Sequence, residues 1–262
     1  MRVKDKKIIV TGAGAGIGRE LALELIKRGA MVAALDMNRE GLEKTRELAD
    51  SDKLFTYVVN ITDDKGLEEF KLRVLNEIGE VDAIINNAGI IQPFIHVNEL
   101  AMADINRVMD VNFYGPVKLI KMFLPGLKNR SEAHVVNVSS MGGFFPFPGQ
   151  TVYGASKAAL KIFTEGMYAE LLNTNVRVTI VFPGAIATEI SKNSGVEIAS
   201  AGNSKMKMTS PKDAAMQIIN GMEKDAFQVY VGSDAKMMNV MYKISPKRAI
   251  KFINKMMAGM NK

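Results

Sequence analysis

The chain is 262 residues long, 47% apolar and 24% charged, which suits one large α/β domain, and no linker-like, low-complexity or repeated segment argues for more. It has no cysteine, so disulfides, thiol nucleophiles and cysteine metal sites are excluded, and its two histidines, His96 and His134, lack metal-ligand spacing. The net charge of +6 belongs to the tail: residues 236–262 carry seven basic side chains and no acid, and removing those seven leaves −1. A nucleic-acid enzyme would spread basic residues over a face of its fold. No nucleic-acid partner and no metal is therefore expected.

The first apolar run, Ile8-Ile9-Val10, is too short for a signal peptide or a membrane span. No later run reaches eighteen apolar residues, so a cytoplasmic protein is expected.

In chain order, strands are predicted over 7–11, 31–36, 54–59, 82–86, 134–140, 176–182 and 228–231, with a helix over 16–28 and helix-like or loop segments between the others. This βαβα rhythm predicts an α/β fold: one doubly wound Rossmann-like domain, its mostly parallel sheet covered by helices on both faces. Such sheets take ligands beyond the carboxyl ends of their strands. The domain is expected to occupy 1–235, with 236–262 as a basic helical extension.

Thr11-Gly12-Ala13-Gly14-Ala15-Gly16-Ile17-Gly18 follows the first strand and opens the first helix. Glycines there let backbone approach a pyrophosphate, and the helix N-terminus offers free N–H groups to phosphate. Asp36 ends the second strand, where a carboxylate accepts hydrogen bonds from an adenosine ribose and repels a 2′-phosphate. Met37 follows, and Ala15 puts no cation in the turn, so NAD is favoured over NADP, with Arg39 nearby as the contrary sign. The alternative is that Asp36 only caps the next helix. Asn86-Asn87-Ala88-Gly89 ends the fourth strand, where amides can brace the sheet and approach a cofactor.

Asn112 lies four residues before Pro116 in a predicted long helix. Proline has no N–H, so the Asn112 carbonyl loses its usual helical partner. Tyr153 and Lys157 are four apart, on one helix face, with Ser140 thirteen residues before Tyr153. A phenol titrates near ~10, and a fixed cation beside it favours phenolate, each unit being worth roughly 1.4 kcal/mol. Such a tyrosine can exchange a proton with a carbonyl or alcohol oxygen. Gly142, Phe144, Phe145, Phe147 and Gln150 lie between Ser140 and Tyr153, and Gly142, Phe144, Phe147 and Gln150 are expected beside the substrate with Ser140 and Tyr153. The phenylalanines read either as an apolar substrate wall or as core or subunit packing.

With these motifs in order, the chain resembles the short-chain dehydrogenase/reductase family in its single-domain form. The resemblance runs from about Lys6 to Gly232. It implies that Tyr153 is the acid/base, that Ser140 holds the substrate oxygen, and that Lys157 binds the nicotinamide ribose and lowers the Tyr153 pKa. It implies a proton relay through Lys157 and a water to the Asn112 carbonyl. Pro183, Gly184, Ile186 and Thr188 would frame the nicotinamide. Asn60-Ile61 stands where the family often has Asp for the adenine, and Asn still offers an acceptor. Residues 189–210, with Met206 and Met208, would form a substrate flap.

The expected function is NAD(H)-dependent interconversion of an apolar secondary alcohol and a ketone. The rivals are an NADP-dependent carbonyl or 3-oxoacyl reductase, a non-catalytic nucleotide-binding scaffold, and a membrane-bound interaction protein. A homodimer or homotetramer is implied by the resemblance. At 100° per residue, Lys247, Arg248, Lys251, Lys255 and Lys262 share an arc of about 100°, opposite Ala249, Ile250, Phe252, Ile253, Met256, Met257 and Met260 on about 160°. This basic amphipathic helix, over 246–260, reads either as a contact with the inner face of a membrane or as a helix docked on protein.

Overall fold

The computed structural model describes residues 1–188, 190–196 and 208–260. Seven parallel strands form one sheet: β1 (Lys7–Thr11), β2 (Met31–Asp36), β3 (Leu54–Val58), β4 (Ala83–Asn86), β5 (Ala133–Val138), β6 (Val176–Pro183) and β7 (Gln228–Val231). Their order is β3-β2-β1-β4-β5-β6-β7. After β3 the chain crosses to the other side of β1, so connections diverge at the β1–β4 boundary, where Ile9 pairs with Ile84. In such sheets this divergence opens a crevice at the carboxyl ends.

The helices are α1 (Gly16–Lys27), α2 (Arg39–Ala49), α3 (Asp64–Glu77), α4 (Met102–Met109), α5 (Gly115–Lys128), α6 (Thr151–Leu171), α7 (Ile190–Asn193), α8 (Pro211–Glu223), α9 (Ser233–Ile244) and α10 (Pro246–Met260). Successive strand residues face opposite sides, so each strand contributes to two cores. Ile8 and Val10 join Leu21 and Leu25 of α1 and Ile218 and Met222 of α8. Ile9 joins Leu67 and Phe70 of α3, Leu119 and Phe123 of α5, and Met167 of α6. Full burial of a side chain such as Leu25 contributes roughly 1.5–3 kcal/mol. Both faces are covered, which is why the central strands read as continuous apolar runs.

Local chemistry sets the helix starts. Asn38 caps α2 by accepting from Gly41 N at 3.1 Å, and Ser210 caps α8 ahead of Pro211. Asp36 is therefore not the α2 cap. Two strands end sooner than predicted, β3 at Val58 and β5 at Val138. This leaves Asn60 and Ser140 in loops above the sheet edge.

The predicted long helix around Asn112 is α4, a π-helical turn (Asp110–Tyr114) and α5. Pro116 cannot donate to Asn112, and Gly115 N instead reaches back five residues to Asp110 O.

The tail follows one of its two expected readings. The predicted helix over 246–260 is present as α10, docked on the body at Ala249 and Ile253, both buried, while Ile250 and Phe252 of the same apolar arc stay exposed. They close a third cluster with Met141, Phe145 and Met238. No helix among the described residues is long and apolar enough to cross a membrane.

Candidate active site

A cavity of about 820 Å³ opens above the carboxyl ends of β1, β2, β4, β5 and β6. The glycine turn forms one end. Gly12, Gly14, Ala15, Gly16 and Ile17 line it, while Gly18 lies beneath, where an added Cβ would run into the Gly12 carbonyl. Ala15 gives α1 no side-chain cap, so the first-turn N–H groups keep their capacity for an anion. The Asp36 carboxylate stands beside the turn: Oδ2 accepts from Gly14 N at 2.8 Å, and Oδ1 accepts from Asn38 N at 2.9 Å. Arg39 does not line the cavity. The Arg19 guanidinium is engaged beneath the turn with the carbonyls of Gly14 and Gly41 and with Thr45 Oγ1. Asn60 and Ile61 border the cavity beyond β3.

Asn87, Ala88 and Gly89 form the floor. Thr11 Oγ1 accepts from Asn87 N at 3.0 Å and Ala88 N at 2.9 Å, while Asn87 Nδ2 donates to Thr11 O at 3.0 Å. One strand end is thus tied to the next. Asn86 turns into the sheet instead, donating to Asn137 Oδ1 at 2.8 Å.

Tyr153, Lys157 and Ser140 meet on the far side of this floor. A Cβ at Gly89 would meet Lys157 Nζ at 3.0 Å and Asn112 Oδ1 at 3.2 Å, so the absent side chain leaves both polar groups their place. Asn112 does not line the cavity. Its amide exchanges hydrogen bonds with the Ile90 backbone in both directions, at 2.9 Å each, and donates to Ser156 Oγ at 3.0 Å. Ser156 in turn donates to Tyr153 O at 2.7 Å. Ser140 Oγ accepts from Gly142 N at 3.0 Å and caps the short turn Met141–Gly143. Its neighbour Ser139 donates to the Lys157 carbonyl at 2.8 Å and braces the helix.

The electrostatics correct one expectation. Burial pushes the Tyr153 phenol above its ordinary value, and the Ser140 hydroxyl only partly opposes this. The phenol therefore sits above its ordinary value in the protein's own surroundings, not below it as expected. Burial pushes Lys157 down to about 8, and its Nζ donates to Val138 O at 3.0 Å. Part of the cation's field is spent on that carbonyl.

Pro183, Gly184, Ile186 and Thr188 line the remaining wall. Asp234, at the start of α9, holds this turn by accepting from Ala185 N at 2.6 Å.

The expected substrate residues are not brought to the cavity, Ser140 and Tyr153 excepted. Gly142 packs behind the Tyr153 ring, where an added Cβ would sit 3.2 Å from a ring carbon. Phe144 meets Phe182 and Tyr230 edge to face, and Phe147 packs on Phe145 in the third cluster. Gln150 is buried, donating to Gln92 O at 2.8 Å. Eight of the nine residues from 142 to 150 are glycine, proline or phenylalanine, and burial under α9 and α10 satisfies the aromatics better than a wet pocket wall. Ile90, Ile91, Phe94 and Ile190 line the cavity instead. Single apolar residues in a loop carry no sequence signal of this. Of the expected flap, Met208 is exposed, and Met206 lies outside the described residues.

Order of strands, crevice and glycine turn together define a dinucleotide-binding α/β fold. The chain belongs to the short-chain dehydrogenase family, whose members match it over residues 6–198. It is 35% identical over 257 residues to the putative oxidoreductase SadH of Mycobacterium tuberculosis, covering 92% of this chain and 91% of that one. A short-chain dehydrogenase of Burkholderia cenocepacia solved with NADP superposes with a TM-score of 0.80 at 27% identity, over 97% of this chain and 99% of that one. A relative of Burkholderia phymatum solved with NAD has a TM-score of 0.81 at 22% identity, over 88% and 90%, and supports the fold. The chain is accordingly an oxidoreductase of this family, with a nicotinamide dinucleotide as cofactor.

Proposed function

We propose that the protein interconverts a secondary alcohol and a ketone, with NAD(H) as its partner and Tyr153 as acid/base. The convergence of Tyr153, Ser140 and Lys157 on one wall of the dinucleotide crevice carries this reading. When bound, the nicotinamide supplies or accepts the hydride. Tyr153 Oη gives or takes the proton at the substrate oxygen, and Ser140 Oγ hydrogen-bonds the same oxygen. Lys157 Nζ holds the nicotinamide ribose. Its proton is replenished along a relay towards the Asn112 carbonyl, which the π-helical turn and Pro116 release from regular helical pairing. The glycine turn and the α1 N-terminus hold the pyrophosphate, and Asn60 and Ile61 border the adenine. Pro183, Gly184, Ile186 and Thr188 frame the nicotinamide.

Asp36 supports NAD over NADP: its carboxylate is fixed beside the glycine turn, no arginine lines the cavity among the described residues, and the Arg19 guanidinium is engaged with the Gly14 and Gly41 carbonyls. The apolar lining by Ile91, Phe94 and Ile190 supports an apolar substrate. Titration with NADH and NADPH, followed by an alcohol and ketone screen with Tyr153→Phe as control, tests both points. Tighter NADPH binding would reverse the cofactor reading, and unchanged turnover in the variant would remove the mechanism.

A second reading concerns partners. We take 1–235 as the catalytic unit and 236–262 as its basic extension. The outward face of α9 is apolar at Met237 (54% exposed), Val240 (56%) and Ile244 (80%), with Lys236 and Lys243 beside it. With Ile250 and Phe252 of α10, which are also exposed, this supports contact of 246–260 and the adjoining α9 face with an anionic membrane surface. In vesicle co-sedimentation, changing Met237, Val240 and Ile244 to Glu reduces pelleting with anionic lipid; equal pelleting rejects the contact. Exposed Met102, Tyr114, Ile162 and Leu172 support self-association as a homodimer or homotetramer, which light scattering measures directly.

A further inference from the structure

The first turn of α6 carries Tyr153, and its backbone N–H groups have no partner within their own helix. The N-cap residue, Gln150, provides no side-chain cap. The acceptor comes from sixty residues away. Gln92, fully buried in the segment after β4, takes hydrogen bonds on a single oxygen: Oε1 accepts from Val152 N at 2.7 Å and from Tyr153 N at 3.0 Å. Its backbone carbonyl accepts from Gln150 Nε2 at 2.8 Å.

Gln92 ends a three-residue strap. Ile90 is bonded in both directions to the Asn112 amide, Ile91 N donates to Ser194 Oγ, and Gln92 holds the start of α6. One short segment therefore ties together the π-helical turn, the end of α7 and the Tyr153 backbone. Gln92 Nε2 and Gln150 Oε1 are both buried with no partner among the described protein atoms. An unpaired buried amide is costly, and an apolar side chain of the same size would avoid that cost. The oxygen is the feature that the fold uses.

We propose that Gln92 is a positioning residue for Tyr153, fixing the first turn of α6 against Asn112 so that the phenol faces the substrate oxygen. This rests on the oxidoreductase reading above. Small displacements of a reacting group lower turnover more than binding. Most residues proposed to hold the dinucleotide, the glycine turn and Asp36 among them, lie at the ends of β1 and β2, away from this anchor, and its affinity is expected to be largely spared.

The test compares Gln92→Met, which removes the acceptor at similar volume, with Gln92→Glu, which keeps an acceptor oxygen and has no unpaired donor. A carboxylate is also favourable at a helix N-terminus. In the full-length protein, Gln92→Met is expected to lower kcat roughly 10- to 100-fold with NADH affinity unchanged, and Gln92→Glu to recover most of the loss. Amide hydrogen exchange at Val152 and Tyr153 is expected to accelerate in the Met variant and return to the original rate in the Glu variant. The proposal is overturned if the Met variant keeps both kcat and exchange protection. It is also overturned if the two variants are equally impaired, or if NADH affinity and melting temperature fall together with kcat. Should the unmodified protein turn over no alcohol or ketone, the reaction reading fails. The exchange rates still decide the anchor: acceleration in the Met variant supports it, and unchanged exchange rejects it.

Discussion

The loop from Ser140 to Tyr153 has two sides built on opposite principles. Towards the cavity, Ser140, Tyr153 and Lys157 are placed by hydrogen bonds to backbone: Ser140 to Gly142 N, Ser156 to Tyr153 O, Lys157 to Val138 O. Away from it, Phe144, Phe145 and Phe147 are held by aromatic and methionine packing under α9 and α10. Hydrogen bonds fix direction, which a proton-transfer group needs. Apolar packing fixes the loop as a whole and is indifferent to which way a polar atom points. The two sides should therefore fail in different ways when altered.

The largest separation is expected from Tyr153→Phe. Turnover should fall roughly 10²–10⁴-fold in an alcohol or ketone assay, while the melting temperature and NADH affinity stay close to the original. Phe145→Ala probes the opposite side. Emptying its fully buried site should cost about 3–5 kcal/mol in denaturant unfolding, and substrate KM should be little changed in the fraction that folds.

Lys157→Met should cross the two behaviours, losing turnover and gaining stability. Burial holds the folded pKa at about 8 against the ordinary 10.5, so the unfolded chain binds more protons between those values. The penalty is fully present below pH 8 and disappears as pH rises to 10.5. At neutral pH the variant should be more stable by at most about 3–4 kcal/mol, the ceiling set by a pKa lowered from 10.5 to about 8 at roughly 1.4 kcal/mol per pH unit. Unfolding curves at pH 7 and pH 10.5 measure that gain and its loss. If the variant is no more stable at pH 7, the lysine is not held at a cost.

Asp36→Asn is a smaller test at the other end of the crevice. Removing the charge while keeping an acceptor should shift the NADH-to-NADPH affinity ratio roughly tenfold towards NADPH, about 1.4 kcal/mol. The smallest effect is expected on α9, where Val240→Glu and Ile244→Glu should each move stability by no more than about 0.5 kcal/mol. A larger change would mean that this face is covered by a second copy of the chain.

Periodicity determined the seven strands, the first helix and the tail helix, and short motifs with the family resemblance pointed to the crevice residues Gly12, Asp36, Asn87, Tyr153 and Lys157. These signals are local: a glycine turn, a strand end and an i,i+4 pair each report their own few residues. The destination of the three phenylalanines, the docking of Ala249 and Ile253, and the apolar wall of Ile91 and Phe94 were decided only in three dimensions. An apolar side chain does not encode which of two surfaces will bury it. The same holds for Gln92 and Asp234, whose partners lie sixty or forty-nine positions away. It holds for charge as well: the sequence pairs Lys157 with Tyr153, but burial depth determines both pKa shifts, and depth is a property of the assembled fold.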